Sequence, residues 1–225
     1  GEPLMDWLYP TCNVVQRFTL RAFADWEVTG RENVPSMGPL VVVANHLSNL
    51  DPPLLGASLP RRIRFLAKDT LFVGGPVVRW FLGSYGAFPV NRDGADVRAY
   101  RWALNLLNND GALVVFPEGT RSKNGQMQKA KPGVVGLVRS AKASILPVAI
   151  TGTERMGTWM RAVNPTGRIR VRIGEVFSLP DVEGRLSKEV TESLNTMIMQ
   201  RVAELLPEEY RGEYRDLGRS VRSAD

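Results

Sequence analysis

The sequence is nearly devoid of cysteine and histidine, the residues that zinc and thiol redox sites require. Its 225 residues include one cysteine, Cys12, and one histidine, His46. A single cysteine excludes an internal disulfide and offers no metal cluster. The sequence also contains no G-x-S-x-G nucleophile elbow, no phosphate-binding P-loop and no zinc-ligand spacing. We therefore expect no bound metal and no bound cofactor.

Uninterrupted apolar runs are also scarce. No long apolar core follows a basic start, so the sequence predicts no cleavable signal peptide. The stretch from residue 70 to 90 is long enough to cross a bilayer, but four glycines and Pro76 interrupt it and it carries Arg79. This composition favours short core elements or an interfacial surface over a spanning helix.

Lysine is rare and arginine is common. Lysine accounts for six of the 29 basic residues and arginine for the other 23, and the formal net charge is +6. Arginine binds phosphate or carboxylate oxygens in a bidentate geometry that lysine does not offer. An anionic partner is expected, such as a phospholipid surface, a phosphorylated small molecule or nucleic acid. The alternative is that these arginines only solubilise the surface.

The order of apolar patterns predicts the fold class. Strand-like runs are expected at 40–45, 63–67, 86–90, 112–116, 144–150 and 168–173, and helical patterns at 52–58, 76–82, 95–108, 133–142 and 187–206. This alternation predicts a single α/β domain with a largely parallel central sheet flanked by helices. The run RIRVRI at 168–173 alternates arginine with apolar residues, which is typical of an edge strand.

The two ends of the chain differ from this pattern. Apolar residues in 4–24 follow helical spacing, and Pro10 is expected to kink the helix. We interpret residues 1–26 as an amphipathic segment that associates with a membrane, with a helix packed on the domain as the alternative. The apolar periodicity of the core ends near residue 206, so 27–206 is the predicted domain. The charged remainder, 207–225, is a predicted flexible tail.

The single histidine occurs in VVVANHLSNLD, residues 41–51. The preceding apolar run predicts a central parallel strand, so His46 lies at its carboxyl end, where open α/β sheets bind ligands. Asp51 precedes two prolines and has the sequence context of a helix N-cap. In one interpretation it only caps that helix. In the other it orients the imidazole of His46, which then acts as a general base.

Other polar groups are predicted at the same edge of the sheet. Arg92 ends GAFPVNR, and Glu118 and Arg121 follow the strand-like run ALVVF in FPEGTRS. Gly119 permits a tight turn, and Lys131 precedes a helix, where an anion is favoured. Taken singly, Glu118 and Arg121 could form a structural ion pair and Arg92 could be solvated. Together with His46 they predict a site for a hydroxyl substrate that carries phosphate.

These motifs resemble those of a known family. NHLSNLD matches the NHxxxxD signature of the glycerolipid acyltransferases and FPEGTRS matches their second hallmark. Together with GAFPVNR and LPVAI, they are similar to lysophosphatidic acid acyltransferases over about residues 27–175. The resemblance implies transfer of an acyl group from acyl-CoA or acyl-carrier protein to the sn-2 hydroxyl of 1-acyl-glycerol-3-phosphate. It also implies that the reaction takes place at a membrane surface. Many members of the family carry spanning helices at the amino end, whereas this chain has only the amphipathic segment there, so we expect peripheral or monotopic attachment to the cytoplasmic face of the cell membrane.

The resemblance assigns roles to individual residues. It implies that His46 is the base and Asp51 its orienting partner. The expected acceptor and phosphate site comprises Arg92, Glu118, Gly119, Thr120 and Arg121, to which we add Lys131. Phe88 and Pro147 are expected at an acyl-donor or structural position. The alternatives are another lysophospholipid acceptor, an ester hydrolase that uses water, or a non-catalytic module for anionic lipids; no nucleic-acid motif is present, so no nucleic-acid partner is expected.

Overall fold

The computed structural model describes residues 7–91, 94, 96–156, 164–181 and 184–215. The helices are α1 (Leu8–Phe23), α2 (Asp51–Ser58), α3 (Pro76–Tyr85), α4 (Val97–Asn108), α5 (Val134–Ala141) and α6 (Lys188–Leu205). The strands are β1 (Ala24–Thr29), β2 (Leu40–Ala44), β3 (Arg64–Lys68), β4 (Ala87–Val90), β5 (Ala112–Val115), β6 (Ser144–Thr151) and β7 (Gly167–Ile173).

The strands form one seven-stranded sheet in the order β1-β7-β6-β2-β5-β3-β4. Every neighbouring pair is parallel except β6 and β7, which are antiparallel. Helices α1, α2 and α3 contribute side chains to the core on one face of the sheet, and α4, α5 and α6 to the core on the other. The predicted fold class is therefore confirmed: a largely parallel sheet flanked by helices, with an amino-terminal helix before it.

The apolar run of β2 is explained by its central position. Its two neighbours are β6 and β5, and helices cover both faces, so all five residues of β2 are buried. A strand buried on both faces has no solvent side on which polar residues would be favoured. The sequence pattern therefore located the middle of the sheet correctly.

Strand β1 was not predicted from the sequence, and its presence affects two predictions. β1 pairs with β7 in parallel, so β7 lies second from the edge and its prediction as an edge strand is wrong. The alternation of β7 reflects burial of one face only, that of Ile169, Val171 and Ile173. On the other face Arg170 contacts Asp25 and Glu27 of β1, at 2.7 and 2.9 Å. The predicted domain boundary after residue 26 is also wrong, because it falls inside β1.

Helix α1 begins at Leu8 and continues through Pro10. The predicted kink is not needed, because Pro10 lies in the first turn, where backbone N–H groups have no intrahelical acceptor. The helix is docked by polar contacts: the hydroxyl of Tyr9 accepts a hydrogen bond from the Ile63 N–H, and Asn13 Oδ1 accepts one from Tyr85. No helix in the described part of the chain is long and apolar enough to cross a membrane.

Residues 207–215 pack against the domain, so the prediction of a flexible tail is wrong for them. The Met127 N–H donates to the carbonyl of Tyr210, and the Glu213 N–H donates to the carbonyl of Met127. The buried Tyr214 accepts a hydrogen bond from the Ala130 N–H at 3.0 Å. Side-chain and backbone contacts of this kind leave no apolar periodicity in the sequence. Residues 216–225 lie outside the described residues.

Candidate active site

His46 is held at the carboxyl end of β2 by the residue before it. The side-chain amide of Asn45 donates to the carbonyl of Ile150 at 2.9 Å and accepts from the N–H of Ile150 at 2.8 Å. This pair continues the β2–β6 pairing by one residue through a side chain, so the chain can leave the sheet at His46 while the backbone groups of Ile150 stay paired. His46 therefore has a defined position at this edge.

His46 and Asp51 form a hydrogen-bonded dyad. Nδ1 of His46 lies 2.8 Å from Oδ2 of Asp51. Because an ionised carboxylate only accepts, Nδ1 carries the proton and Nε2 is the basic nitrogen. Within the described part of the chain, Nε2 has no hydrogen-bond partner. The side chain of His46 retains 8% of its accessible surface, and the ring of Phe116 stacks on it at 4.2 Å.

Asp51 is fully buried and accepts several hydrogen bonds. Besides His46, Oδ2 accepts from the N–H groups of Leu47 and Ser48 at 2.7 and 2.8 Å, and Oδ1 accepts from the hydroxyl of Thr153 at 2.7 Å. Asp51 is the first residue of α2, and its side chain binds the preceding loop rather than the helix. It is therefore not an N-cap, and the interpretation of Asp51 as an orienting group is supported.

Glu118 connects two loops of the site. Its side chain is 3% exposed. Oε1 accepts from the His46 N–H at 3.0 Å and Oε2 from the Gln128 N–H at 2.9 Å. Burial raises the pKa of Glu118 to about 7, and the negative charge of Asp51 adds to the rise, while the two N–H donors oppose it. In the structure Glu118 thus anchors the backbone of both loops, and its role toward the acceptor stays a prediction.

The rest of FPEGTRS forms a turn beside the dyad. Gly119 has φ +71°, and its N–H donates to the carbonyl of Phe116. A side chain at this position would meet Lys131, since a Cβ on Gly119 would lie 3.0 Å from Cε and 3.2 Å from Nζ of that lysine. The ammonium group of Lys131 therefore lies across Gly119. The Ser122 N–H donates to the carbonyl of His46 at 2.8 Å, which joins this turn to the dyad loop.

The remaining predicted site residues are distributed as follows. Thr120 and Arg121 are exposed in the same turn, two and three residues after Glu118. Phe88 lies on β4, stacked on Trp102 at 4.5 Å, and Pro147 is buried in β6, where its carbonyl accepts from Gly174. Phe88 and Pro147 have packing roles in the structure. Arg92 lies outside the described residues.

Three residues near the site were not predicted. Thr153 contacts Asp51 directly, Phe116 stacks on His46, and Lys68 ends β3 as an exposed cation at the carboxyl edge of the sheet. A signal was available for Lys68, because it follows a predicted strand. No sequence signal pointed to Thr153, because 102 residues separate it from Asp51.

The arrangement is suited to removing a proton from a hydroxyl group. A neutral imidazole with one nitrogen oriented by a buried carboxylate offers the other nitrogen as a general base. Arg121 lies in the turn after β5, Lys131 lies across Gly119 of that turn, and Lys68 ends β3 at the same edge. These cations can bind an anionic group of the molecule that carries the hydroxyl. The structure thus places a hydrogen-bonded His–Asp dyad at the carboxyl edge of the sheet, with cationic side chains on the same edge.

Comparison with known proteins identifies the family. The family model described as Acyltransferase matches residues 25–151, more than half of the chain. The chain therefore belongs to the acyltransferase family. Both signature motifs, NHLSNLD and FPEGTRS, lie inside the matched range.

Particular relatives have more specific names. The 1-acyl-sn-glycerol-3-phosphate acyltransferase LPAT1 of Arabidopsis thaliana chloroplasts is 32% identical over 150 residues, which are 65% of this chain and 42% of the plant protein. The Bacillus subtilis 1-acyl-sn-glycerol-3-phosphate acyltransferase is 27% identical over 202 residues, which are 88% of this chain and 96% of that protein. The chain thus spans less than half of the plant relative and nearly all of the bacterial one.

A solved structure agrees with these relatives. The crystal structure of the 1-acyl-sn-glycerophosphate (LPA) acyltransferase PlsC from Thermotoga maritima matches with a TM-score of 0.66 and 29% sequence identity. The match covers 90% of this chain and 84% of that one. The fold observed here is therefore shared with an acyltransferase of known structure.

Proposed function

We propose that this protein transfers a fatty acyl group from acyl-CoA or acyl-carrier protein to the sn-2 hydroxyl of 1-acyl-glycerol-3-phosphate, which gives phosphatidic acid. The observation that carries the proposal is the dyad, with His46 Nδ1 2.8 Å from Asp51 Oδ2 and Nε2 left basic. The names of the bacterial relative and of the similar structure support the choice of acceptor.

The reaction needs no covalent enzyme intermediate. Nε2 of His46 takes the proton of the acceptor hydroxyl while that oxygen forms a bond to the thioester carbonyl carbon. The tetrahedral oxyanion then collapses, the carbon–sulfur bond breaks, and the proton passes from the imidazolium to the leaving thiolate. Asp51 stabilises the imidazolium between these steps. Positioned general base catalysis of this type supplies about 10²–10⁴-fold in rate.

The acceptor phosphate is held by the cations of the same edge. Arg121 is the principal ligand in this proposal, because its planar guanidinium forms two parallel hydrogen bonds to phosphate oxygens. Lys131, whose ammonium lies across Gly119, adds a second positive charge next to the turn. These groups position the hydroxyl near His46 and take no part in bond breaking.

The enzyme works at the cytoplasmic face of the cell membrane as a peripheral or monotopic protein in this proposal. Helices α1 and α3 contact each other and carry exposed apolar side chains, among them Phe18, Val77 and Phe81. Phe18 is 69% exposed, which is unusual for a phenylalanine on a helix unless its face meets another apolar phase. The exposed Arg21 and Arg79 border these residues in sequence and favour an anionic leaflet.

The catalytic part of the proposal is tested by an acyl-transfer assay. Purified protein is given acyl-CoA or acyl-carrier protein together with lysolipids that differ in headgroup, and the diacyl product is quantified. We expect phosphatidic acid to be the main product, and His46→Ala to reduce its formation by about 10²–10⁴-fold. Arg121→Ala should raise KM for 1-acyl-glycerol-3-phosphate, and Arg201→Ala, an exposed arginine of α6, serves as the matched control.

The alternatives give different results in the same assay. Release of free fatty acid without an acceptor would identify a hydrolase, and preference for a lysolipid with another headgroup would change the acceptor. Full activity of His46→Ala would refute the general base. Membrane binding is measured by co-sedimentation with vesicles that contain anionic phospholipid. The double variant Phe18→Asp, Phe81→Asp should lose binding, whereas Val190→Asp on α6 should retain it.

A further inference from the structure

Thr153 is the donor to the second oxygen of the catalytic carboxylate. It is 1% exposed, two residues after the end of β6, and its hydroxyl donates to Asp51 Oδ1 at 2.7 Å. Oδ2 of Asp51 accepts three hydrogen bonds, including the one from His46. Within the described residues, Thr153 is the one donor to Oδ1. The two oxygens of the carboxylate are therefore held by different parts of the chain.

We propose that Thr153 is a positioning residue for acyl transfer, which fixes the plane of the Asp51 carboxylate so that Oδ2 faces His46. This inference rests on the proposed function. The terminal torsion of an aspartate side chain is soft and has broad minima. Rotation about the bond between Cβ and Cγ would carry Oδ2 away from its three donors and would move Oδ1 at the same time. The donor on Oδ1, supplied by the loop after β6, adds a further restraint on that rotation from a separate part of the chain.

The loop that carries Thr153 is built to hold it in place. Gly152 has φ +90°, and a Cβ there would overlap the backbone carbonyl of Arg168, so the chain turns sharply at this point. The Met156 N–H donates to the carbonyl of Thr153 at 2.9 Å, and the Ser48 hydroxyl donates to the carbonyl of Met156 at 3.3 Å. The loop after β6 is thus joined to the dyad loop through Met156 as well as through Thr153.

The carboxyl-terminal segment supports this loop from outside. Glu154, the neighbour of Thr153, accepts hydrogen bonds from its own turn at Gly152 and from the hydroxyl of Tyr210, each at 2.9 Å. Tyr210 belongs to the segment 207–215. This segment also contacts Met127, which lies in the loop between β5 and α5. A functional group is placed accurately when the residues around it are themselves held by packing and hydrogen bonds. The contacts around Thr153 fit that description.

The test separates the hydroxyl from the shape of the side chain. Thr153→Val keeps the shape but leaves Oδ1 without its donor, and Thr153→Ser keeps the hydroxyl. Ser58→Ala is the matched control, because it removes another buried hydroxyl that donates to a backbone carbonyl, that of Leu54. Steady-state kcat and KM for the acceptor and the pH profile of kcat/KM are measured for each variant, using acyl-CoA and 1-acyl-glycerol-3-phosphate.

We expect Thr153→Val to lower kcat by about 10- to 100-fold with KM little changed, which is the range for a hydrogen bond to a charged group. A carboxylate that is less well oriented stabilises the imidazolium of His46 less, so the acidic limb of the kcat/KM profile should move to lower pH. Glu118 is the other carboxyl whose charge acts on Asp51, and it is common to all variants. Thr153→Ser should retain activity within about threefold, as should Ser58→Ala.

Two results would overturn the inference. Wild-type kcat and an unmoved acidic limb in Thr153→Val would show that the hydroxyl has no positioning role. An equal loss in Thr153→Ser and Thr153→Val would assign the effect to the methyl group and its packing. The proposed function is tested separately by His46→Ala: if that variant is inactive while Thr153→Val is fully active, only the role of Thr153 is refuted.

Discussion

The substitution Glu118→Gln should separate the anchoring role of Glu118 from the cost of burying its charge. The carboxylate accepts from two backbone N–H groups, those of His46 and Gln128, one on each oxygen. An amide of the same shape has one acceptor oxygen and one NH₂ donor. In the variant, one of the two backbone N–H groups therefore faces another donor, and the dyad loop or the loop at Gln128 loses its anchor.

Two opposing energies set the change in the free energy of unfolding that Glu118→Gln causes. A buried N–H that loses its acceptor costs about 1–3 kcal/mol. Against this, the rise of the Glu118 pKa from its ordinary value of 4.5 to about 7 corresponds to about 3 kcal/mol between the two protonation states. Because the pKa of Glu118 is raised in the folded protein, its protonated form contributes to stability. This contribution is fully present below pH 4.5 and is lost as the pH rises through about 7. Glutamine does not ionise, so the variant does not lose this stability over the same pH range.

The assay is urea unfolding of wild type and variant at intervals between about pH 5 and 8. The stability of Glu118→Gln relative to wild type should improve by up to about 3 kcal/mol from the lowest to the highest pH. Its acyl-transfer activity should nevertheless fall, because the anchor of the His46 backbone is weakened. Glu192→Gln, at an exposed position of α6, controls for the loss of a carboxyl group. Parallel stability curves for wild type and Glu118→Gln would refute the reasoning.

Three further substitutions test the catalytic charge, the core and the carboxyl-terminal segment. Asp51→Asn keeps an acceptor for His46 but removes the charge that stabilises the imidazolium, so kcat should fall by about 10²–10⁴-fold while circular dichroism stays unchanged. Leu55→Ala empties a fully buried position of α2 and should lower the free energy of unfolding by about 2–5 kcal/mol in urea titrations. Tyr214→Phe removes the acceptor of the Ala130 N–H and should cost about 1 kcal/mol in the same titration.

A specific result would contradict each of these three predictions. Full turnover by Asp51→Asn would mean that the carboxylate charge is not used. A loss below about 1 kcal/mol in Leu55→Ala would mean that α2 is not packed as the structure has it. Unchanged stability of Tyr214→Phe would mean that the segment 207–215 is not held by this hydrogen bond.

Much of the fold was predictable because its signals are local. The five consecutive apolar residues of β2 correctly predicted that the strand is buried on both faces, because side chains on a central parallel strand have no solvent side. Periodicity also located α4 and α6 to within a few residues of their observed bounds. β1 was missed because its alternating sequence, ADWEVT, follows directly on a helical pattern and has no turn residue before it.

Sequence by itself determined the chemical groups of the site and which strand ends carry them: an imidazole after β2, a carboxylate five residues later, and FPEGTRS after β5. Tertiary structure alone decided how those groups are used. It turned Glu118 inward onto two backbone N–H groups, and it brought Thr153 to Asp51 across 102 residues of sequence. The reason is physical: periodic patterns record whether a residue faces the core or solvent, whereas hydrogen-bond partners between distant loops depend on the path of the whole chain.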